Sequence, residues 1–196
     1  MNRIYACAAA CAAVFGLGSA QAAEIRVGVL GMDVVSLDAG VNGKEESVGL
    51  SLGYVSDRFG DSAWIPRLEI GGDLNLGGKT NLAYAGGLWR GYFGGDDQFY
   101  IEGSLGLAVH DGEDEAPDLE PGLTPEEAQR RIFRNSHYIE FGSTVVFREA
   151  VALGYRFSDT LAADIYMEHF SHGKILSSGS NEGLDVFGVR LAYTLN

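Results

Sequence analysis

A histidine and a serine, His169 and Ser171, lie two residues apart near the C-terminus, within segment 167–173. From Leu161 onward apolar residues alternate with small or polar ones, and this period of two predicts a β-strand. Both side chains continue the apolar row of that strand, about 6–7 Å apart along it. They suit a base and a nucleophile acting on an apolar substrate, or they mark the point where the strand leaves an apolar environment.

The N-terminus has the pattern of an export signal. Arg3 precedes a small apolar run over residues 4–17, and an Ala-x-Ala cleavage site follows. We therefore expect residues 1–22 to be a secretory signal peptide and residues 23–196 to form one mature domain. Both cysteines fall within the signal, so the mature chain is predicted to contain no disulfide and no thiol chemistry.

Composition narrows the class of protein. The formal net charge of −13 argues against a nucleic-acid partner, because phosphate binding needs a basic surface. Beyond the signal there is no apolar run near 18 residues, so no transmembrane helix is predicted. The 28 glycines, the 11% aromatic content and the export signal together favour a β protein of the outer membrane.

Eight segments of the chain alternate with the period of a strand. They are predicted at 24–35, 47–56, 64–76, 81–93, 99–110, 137–157, 161–171 and 184–196. Glu149 interrupts the sixth segment, where we expect a β-bulge in one long strand, although two strands also fit.

The two faces of these strands differ in a way that indicates a membrane barrel. Bulky apolar residues occupy one face, and glycine, small polar or charged residues occupy the other, which suits lipid outside and a narrow polar lumen inside. The residues predicted to form a charge-compensated lumen network are Arg67, Glu69, Asp73, Glu102, Asp164, Glu168 and Arg190. The predicted fold is all-β, an eight-stranded antiparallel up-and-down transmembrane β-barrel with both termini on the periplasmic side.

The longest connection, residues 111–135, is then an external loop. It is acidic, and Thr124-Pro125 followed by Glu127 predicts a short helix from Pro125 to about Arg131. His110 and His137 flank this loop, but no tight ligand spacing accompanies them, so we predict solvated loop residues rather than a metal site.

The predicted topology places a third polar side chain close to His169 and Ser171. The seventh strand runs outward, so His169 and Ser171 lie at its external end on the lipid-facing row. Asp185 begins the lipid-facing row of the eighth strand at about the same height. Three polar groups on a lipid-facing wall destabilise it unless they pair, and a carboxylate, an imidazole and a hydroxyl together can activate a serine. This convergence favours catalysis.

The sequence resembles the lipid A 3-O-deacylases of Gram-negative outer membranes. The resemblance lies in His169-Phe170-Ser171, in the following Gly173, and in the run from Asn181 to Asp185. The resemblance implies Ser171 as nucleophile, His169 as general base and Asp185 as the acid, where family members also carry Glu. It further implies an oxyanion-binding role for the position after the serine, here His172.

The backbone N–H of Gly173 is a second candidate for the oxyanion, and Lys174 is either a contact for a lipid A phosphate or an interfacial lysine. The implied reaction is ester hydrolysis of lipopolysaccharide in the outer leaflet, with no metal or other cofactor. Two alternatives remain open: a non-enzymatic barrel for adhesion or structure, and an outer-membrane phospholipase using the same triad. A homodimer also stays open.

Overall fold

The computed structural model describes residues 22–34, 43–60, 62–115 and 117–195. The predicted signal peptide therefore lies almost entirely outside the described residues. The strands are β1 (Glu24–Met32), β2 (Ser47–Val55), β3 (Arg67–Asn75), β4 (Leu82–Phe93), β5 (Phe99–His110), β6 (Val145–Arg156), β7 (Leu161–Ser171) and β8 (Leu184–Thr194). One α-helix, α1, runs over Pro125–His137, and a 3-10 turn covers Gly95–Asp97.

The strands form a single closed sheet. Each strand pairs antiparallel with the next along the chain, and β1 also pairs with β8. Val27 of β1 therefore lies between Leu52 of β2 and Leu191 of β8. The predicted eight-stranded antiparallel up-and-down barrel is confirmed. No helix in the described part of the chain is long and apolar enough to cross a membrane.

The outer surface of the barrel is apolar. Val27, Leu52 and Leu191, which lie side by side across three strands, are 49%, 62% and 51% exposed. An isolated soluble protein would bury such a continuous band, whereas a membrane barrel turns it toward lipid. The apolar residues of the predicted alternation thus face outward and the charged residues face the lumen, as in a transmembrane barrel and opposite to a soluble one.

Aromatic rings surround the end of the barrel that carries the two termini. Phe93 stacks on Phe99 with ring centroids 5.6 Å apart, and Tyr155 contacts both Phe99 and Phe157, at 5.2 and 5.3 Å. Aromatic girdles of this kind lie at membrane–water interfaces. We call the opposite end, where the longer loops meet, the outer end.

The lumen is filled by charged side chains. All seven predicted members of the network are buried: Arg67, Glu69, Asp73, Glu102, Asp164, Glu168 and Arg190. The network also includes four charged residues that were not predicted, Glu24, Arg26, Arg90 and Arg148.

Arg148 shows how tightly this network is built. Its guanidinium donates to Glu69 at 2.8 Å, to Ser104 at 2.9 Å and to Glu168 at 3.2 Å. It also lies 3.8 Å from the ring centroid of Tyr84. Buried charges are tolerated in a narrow lumen when each is paired in this way.

The predicted sixth strand is wrong in two respects. It begins at Val145 rather than at residue 137, because the preceding helix continues to His137 and a loop follows. It also contains no bulge, since Glu149 stays in register with Leu105 on β5 and His169 on β7. Without a bulge, Glu149 belongs to the outward row.

The helix of the longest loop starts where its capping residues predict. The Thr124 hydroxyl accepts from the backbone N–H of Glu127, whose side chain in turn accepts from the N–H of Thr124. This capping box and Pro125 at the first position define the start. The helix ends at His137, six residues beyond the predicted Arg131.

Candidate active site

Two neighbouring strands bring the predicted histidine and acid together at the outer end. His169 lies near the end of β7 and is the direct cross-strand partner of Asp185, the second residue of β8. The imidazole Nδ1 is 2.7 Å from the carboxylate Oδ1. The two side chains thus lie next to each other as predicted, whereas their catalytic roles remain predictions.

The burial of this pair is asymmetric. The Asp185 side chain is 6% exposed and that of His169 is 29% exposed. Shielding from water strengthens the hydrogen bond of a carboxylate to an imidazole. Because Asp185 binds Nδ1, it orients the ring with Nε2 on the far side, as a general base requires.

Ser171 is the last residue of β7 and lies on the same row as His169. It is half-buried and pairs across the sheet with Phe147 of β6. Two residues of strand separate the His169 and Ser171 Cα atoms by about 6–7 Å. All three predicted residues therefore share one small area of the outer wall.

Gly183 closes the site over the imidazole. A Cβ atom at this position would lie 2.6 Å from His169 Cε1 and 3.3 Å from Nε2. Ordinary carbon–carbon contacts are about 3.5–4.0 Å, so only glycine leaves the ring where it is. The ring is therefore confined by Gly183 as well as by the bond to Asp185.

His172 does not have its predicted place. Its side chain is fully buried, with Nε2 2.6 Å from the Ser180 carbonyl oxygen and Nδ1 accepting from the Lys174 N–H at 3.0 Å. Its backbone N–H donates to Asn181 Oδ1 at 2.9 Å. His172 therefore holds the β7–β8 loop together and presents no group to a substrate, which corrects the predicted oxyanion contact.

Gly173 and Lys174 form the tip of a tight turn beside Ser171. Both have positive φ, 60° and 56°, and the Ile175 N–H donates to the His172 carbonyl at 3.0 Å. Two central residues with positive φ define a type I′ turn, which glycine enters without strain. Both residues are exposed, so each can still meet a substrate.

The β7–β8 loop is tied to the other outer loops. Lys44 forms a 2.6 Å ion pair with Glu182, whose second oxygen accepts from the Glu140 N–H at 2.9 Å. Glu182 directly precedes Gly183, so these bonds hold the glycine against the imidazole. The sequence gives no signal for this arrangement, because the contacts join residues that are far apart in the chain.

A second set of bonds supports the acid. The Asp33 N–H donates to the Asp185 carbonyl at 2.7 Å, and the Asp33 carboxylate accepts from the Glu45 N–H at 2.8 Å. Burial raises the pKa of the Asp33 carboxyl above its ordinary value, and the charges of Glu45 and Asp185 act in the same direction. The outer end thus holds three acidic groups close together.

The two histidines beside the long loop have structural contacts. His110 Nε2 is 2.8 Å from the Ser143 carbonyl, and its ring packs 4.1 Å from that of Phe141. The His137 ring stacks on Phe133 at 4.0 Å. Within the described residues, no group of three or more His, Cys, Asp or Glu side chains is placed to hold a metal ion.

Comparison with known proteins places this chain in a family. A family model described as lipid A 3-O-deacylase (PagL) matches residues 48–194, a range that includes every candidate catalytic residue. A search of curated proteins gives no significant match.

Solved structures share the fold. The crystal structure of the outer membrane enzyme PagL matches with a TM-score of 0.56 at 15% identity, over 87% of this chain and 99% of that chain. Neisserial surface protein A matches with a TM-score of 0.51 at 9% identity, over 91% and 100%. At these identities the structural matches show a common barrel and nothing more specific.

Proposed function

This chain belongs to the lipid A 3-O-deacylase family and is an outer-membrane β-barrel hydrolase of lipid A; on that premise we propose that it is a serine esterase. Ser171 is the nucleophile, His169 the general base and Asp185 the orienting acid. The bond removed is an ester between a fatty acyl chain and the sugar, at the 3-O position. The observation that supports this proposal most directly is the hydrogen bond between Asp185 and His169 on a lipid-facing wall, where His169 lies two residues before Ser171.

The reaction proceeds through an acyl-enzyme. His169 takes the Oγ proton of Ser171 as Oγ attacks the ester carbonyl carbon, and the C=O electron pair moves to the oxygen. Collapse of this intermediate breaks the bond to the sugar oxygen, which receives the proton from His169. A water molecule, deprotonated by His169, then attacks the acyl carbonyl carbon. The bond from that carbon to Ser171 Oγ breaks, Oγ takes the proton back from His169, and the fatty acid is released. Asp185 accepts from Nδ1 throughout and stabilises the imidazolium.

Gly173 supplies the oxyanion donor in this proposal. His172 N–H is occupied by Asn181, whereas the N–H of Gly173 has no acceptor among the described residues. Gly173 is also exposed at the turn next to Ser171. A donor that already points at the developing negative charge is worth about 10²–10³ in rate. Lys174, one residue further, lies at the level of the lipid headgroups.

The apolar wall serves as the acyl-chain site. Phe147 pairs with Ser171 and lies level with it on the outward row of β6, and Phe187, the partner of Met167, lies on the outward row of β8 below Asp185. A lipid of the outer leaflet has its acyl chains against this surface already, so its ester reaches Ser171 without leaving the membrane.

The test is mass spectrometry of lipid A from cells that express the wild type, Ser171→Ala, or the loop control Ser178→Ala. We expect the wild type and the control to remove one acyl chain and Ser171→Ala to remove none. Unmodified lipid A in cells where the wild-type barrel is folded in the outer membrane would support the non-enzymatic alternative. Loss of acyl chains from glycerophospholipids instead would support the phospholipase.

A further inference from the structure

Asp73 is the one acid of the lumen network that has no cation among the described residues. The network holds six carboxyl groups and five guanidinium groups in this part of the chain. Five of the acids each form an ion pair with an arginine: Glu24, Glu69, Glu102, Asp164 and Glu168. Asp73 forms none, although it is only 2% exposed. The network therefore contains one acid more than its arginines neutralise.

The carboxyl group of Asp73 on β3 lies within hydrogen-bonding reach of that of Glu168 on β7. Arg148 binds Glu168 through Oε1, and Glu168 Oε2 is buried without a hydrogen bond. Both oxygens of Asp73 are buried and equally unpartnered among the described residues. Three acceptor oxygens thus meet without a donor, and this destabilises the fold unless a proton supplies one.

The groups around the pair do not supply enough donors. The Tyr166 hydroxyl is itself buried without a hydrogen bond in the described chain. Ser51 lies directly across the sheet from Asp73, and its single hydroxyl proton satisfies at most one of the three oxygens. The other charged and titratable groups near the pair are Glu69 of β3, Tyr84 of β4, Arg148 of β6 and Arg190 of β8. Both of these arginines are bound to other acids.

We propose that Asp73 and Glu168 form a binding site for one proton, which Asp73 carries and donates to Glu168 Oε2 as a hydrogen bond. Two carboxyl groups that share a buried site keep a proton between them because both do not ionise side by side. This proton cancels the excess negative charge of the lumen and gives two of the three oxygens a partner. Glu168 directly precedes His169, so the proton lies under the outer-end wall. The inference does not depend on the proposed esterase activity.

A divalent metal ion suits this place less well than a proton. Calcium takes about six to eight oxygen ligands, whereas this pair offers two carboxyl groups. No third His, Cys, Asp or Glu side chain joins them to form a metal-binding group within the described ranges.

The site makes the stability of the barrel depend on pH with a definite sign. An unfolded chain ionises its aspartates above about pH 4, whereas the folded barrel keeps the shared proton. Stability falls as the pH rises wherever the folded state binds more protons than the unfolded state. In Asp73→Asn an amide N–H donates to Glu168 in place of the titrating O–H. That variant therefore lacks this part of the pH dependence.

The test compares urea unfolding of the wild type, Asp73→Asn and Asp164→Asn in detergent micelles from about pH 5 to about pH 8. Asp164 is the matched control because it is a buried lumen aspartate with an ion pair, 2.9 Å from Arg190 Nε. Asp73→Asn should have the higher urea midpoint at the upper pH. The ratio of the wild-type unfolding constant to that of Asp73→Asn should rise about tenfold per pH unit. Asp164→Asn should have a lower midpoint than the wild type.

Two outcomes of the unfolding experiment would overturn the proposal. A lower midpoint for Asp73→Asn at the upper pH, or failure of that variant to fold, would mean that the ionised form of Asp73 stabilises the barrel. The wild type is also unfolded in sodium chloride and in choline chloride at equal ionic strength. A wild type that is more stable in sodium, beside an Asp73→Asn variant that is not, would replace the proton by a metal cation.

Infrared spectroscopy detects the proton directly, because a neutral carboxyl group has a C=O stretch that an ionised carboxylate lacks. The difference spectrum between the wild type and Asp73→Asn at the upper pH should contain this neutral band. The difference spectrum between the wild type and Asp164→Asn should contain carboxylate bands alone. Absence of the neutral band from the first spectrum would contradict the proposal whatever the unfolding curves show.

Discussion

Replacing Gly183 by alanine is a sharp test of the imidazole's position. The added methyl carbon would lie 2.6 Å from His169 Cε1. A relaxed carbon–carbon contact is about 3.5–4.0 Å, so the ring must move by about 1 Å or turn away from Asp185. Gly183 does not have a positive φ, so alanine brings no backbone strain of its own.

The expected loss follows from that displacement. A misplacement of about 1 Å at a catalytic group costs about 10² in rate, equivalent to about 2.7 kcal/mol of activation free energy. The methyl group contacts the base rather than the acyl-chain wall, so the loss should fall on kcat more than on KM. The fold should survive, because the change lies in a loop outside the strands.

The assay is steady-state hydrolysis of lipid A in detergent micelles, together with thermal unfolding of each purified variant. Gly179→Ala is the matched control in the same loop, because a methyl group there would meet its nearest atom at 3.4 Å, an ordinary contact. We expect about a 100-fold lower kcat for Gly183→Ala and no change for Gly179→Ala. Wild-type kcat in a folded Gly183→Ala barrel would refute the proposed role of His169 as it lies in the structure.

Two further predictions concern stability. Arg148→Met leaves Glu168 without a cation and removes one of the three arginines that pair with Glu69, so the free energy of unfolding should fall by about 3–5 kcal/mol in urea titrations; an unchanged midpoint would show that the lumen charges are not coupled. Burial raises the pKa of Asp33, so folding disfavours its charged form, and the stability that its neutral form contributes is lost as the pH rises through the folded pKa. Asp33→Asn should therefore unfold at a higher temperature than the wild type near pH 8 and at the same temperature below about pH 4; a gap that does not vary with pH would contradict this.

The sequence predicts the barrel and the His169–Asp185 pair for one reason. Strand rows have a strict period of two, so the face of each residue can be read directly once the topology is assumed. The order of the strands then puts the end of β7 beside the start of β8. Both steps depend on local pattern and short connections, which sequence records well.

The wrong sixth strand shows where local pattern fails. Ile139 and Phe141 alternate as strand residues do, yet they lie in a loop and are buried at the outer end. The Ile139 N–H donates to Glu45, 94 residues away along the chain. A contact of that range leaves no trace in the surrounding sequence. A bulge at Glu149 would also change which face of the strand this residue occupies. The expected bulge is therefore the reason that Glu149 is not predicted on the outward row.

The predicted position of the His172 side chain is wrong for a different reason. A continuing strand would turn its side chain into the lumen, and family resemblance would put it at the oxyanion. The chain instead turns at Gly173 and Lys174, and the His172 ring bonds to the returning loop. The glycine was the available signal for this turn, because type I′ turns favour it.

The most direct test of the account is covalent labelling of the nucleophile on the folded barrel. The purified protein in detergent is treated with an alkyl fluorophosphonate, which reacts with activated serines, and its intact mass and labelled peptide are measured. The account predicts a gain of one phosphonyl group, located on Ser171 and absent in Ser171→Ala. Equal labelling of both proteins, or none of the folded wild type, would contradict the claim that an activated serine lies on the outer wall.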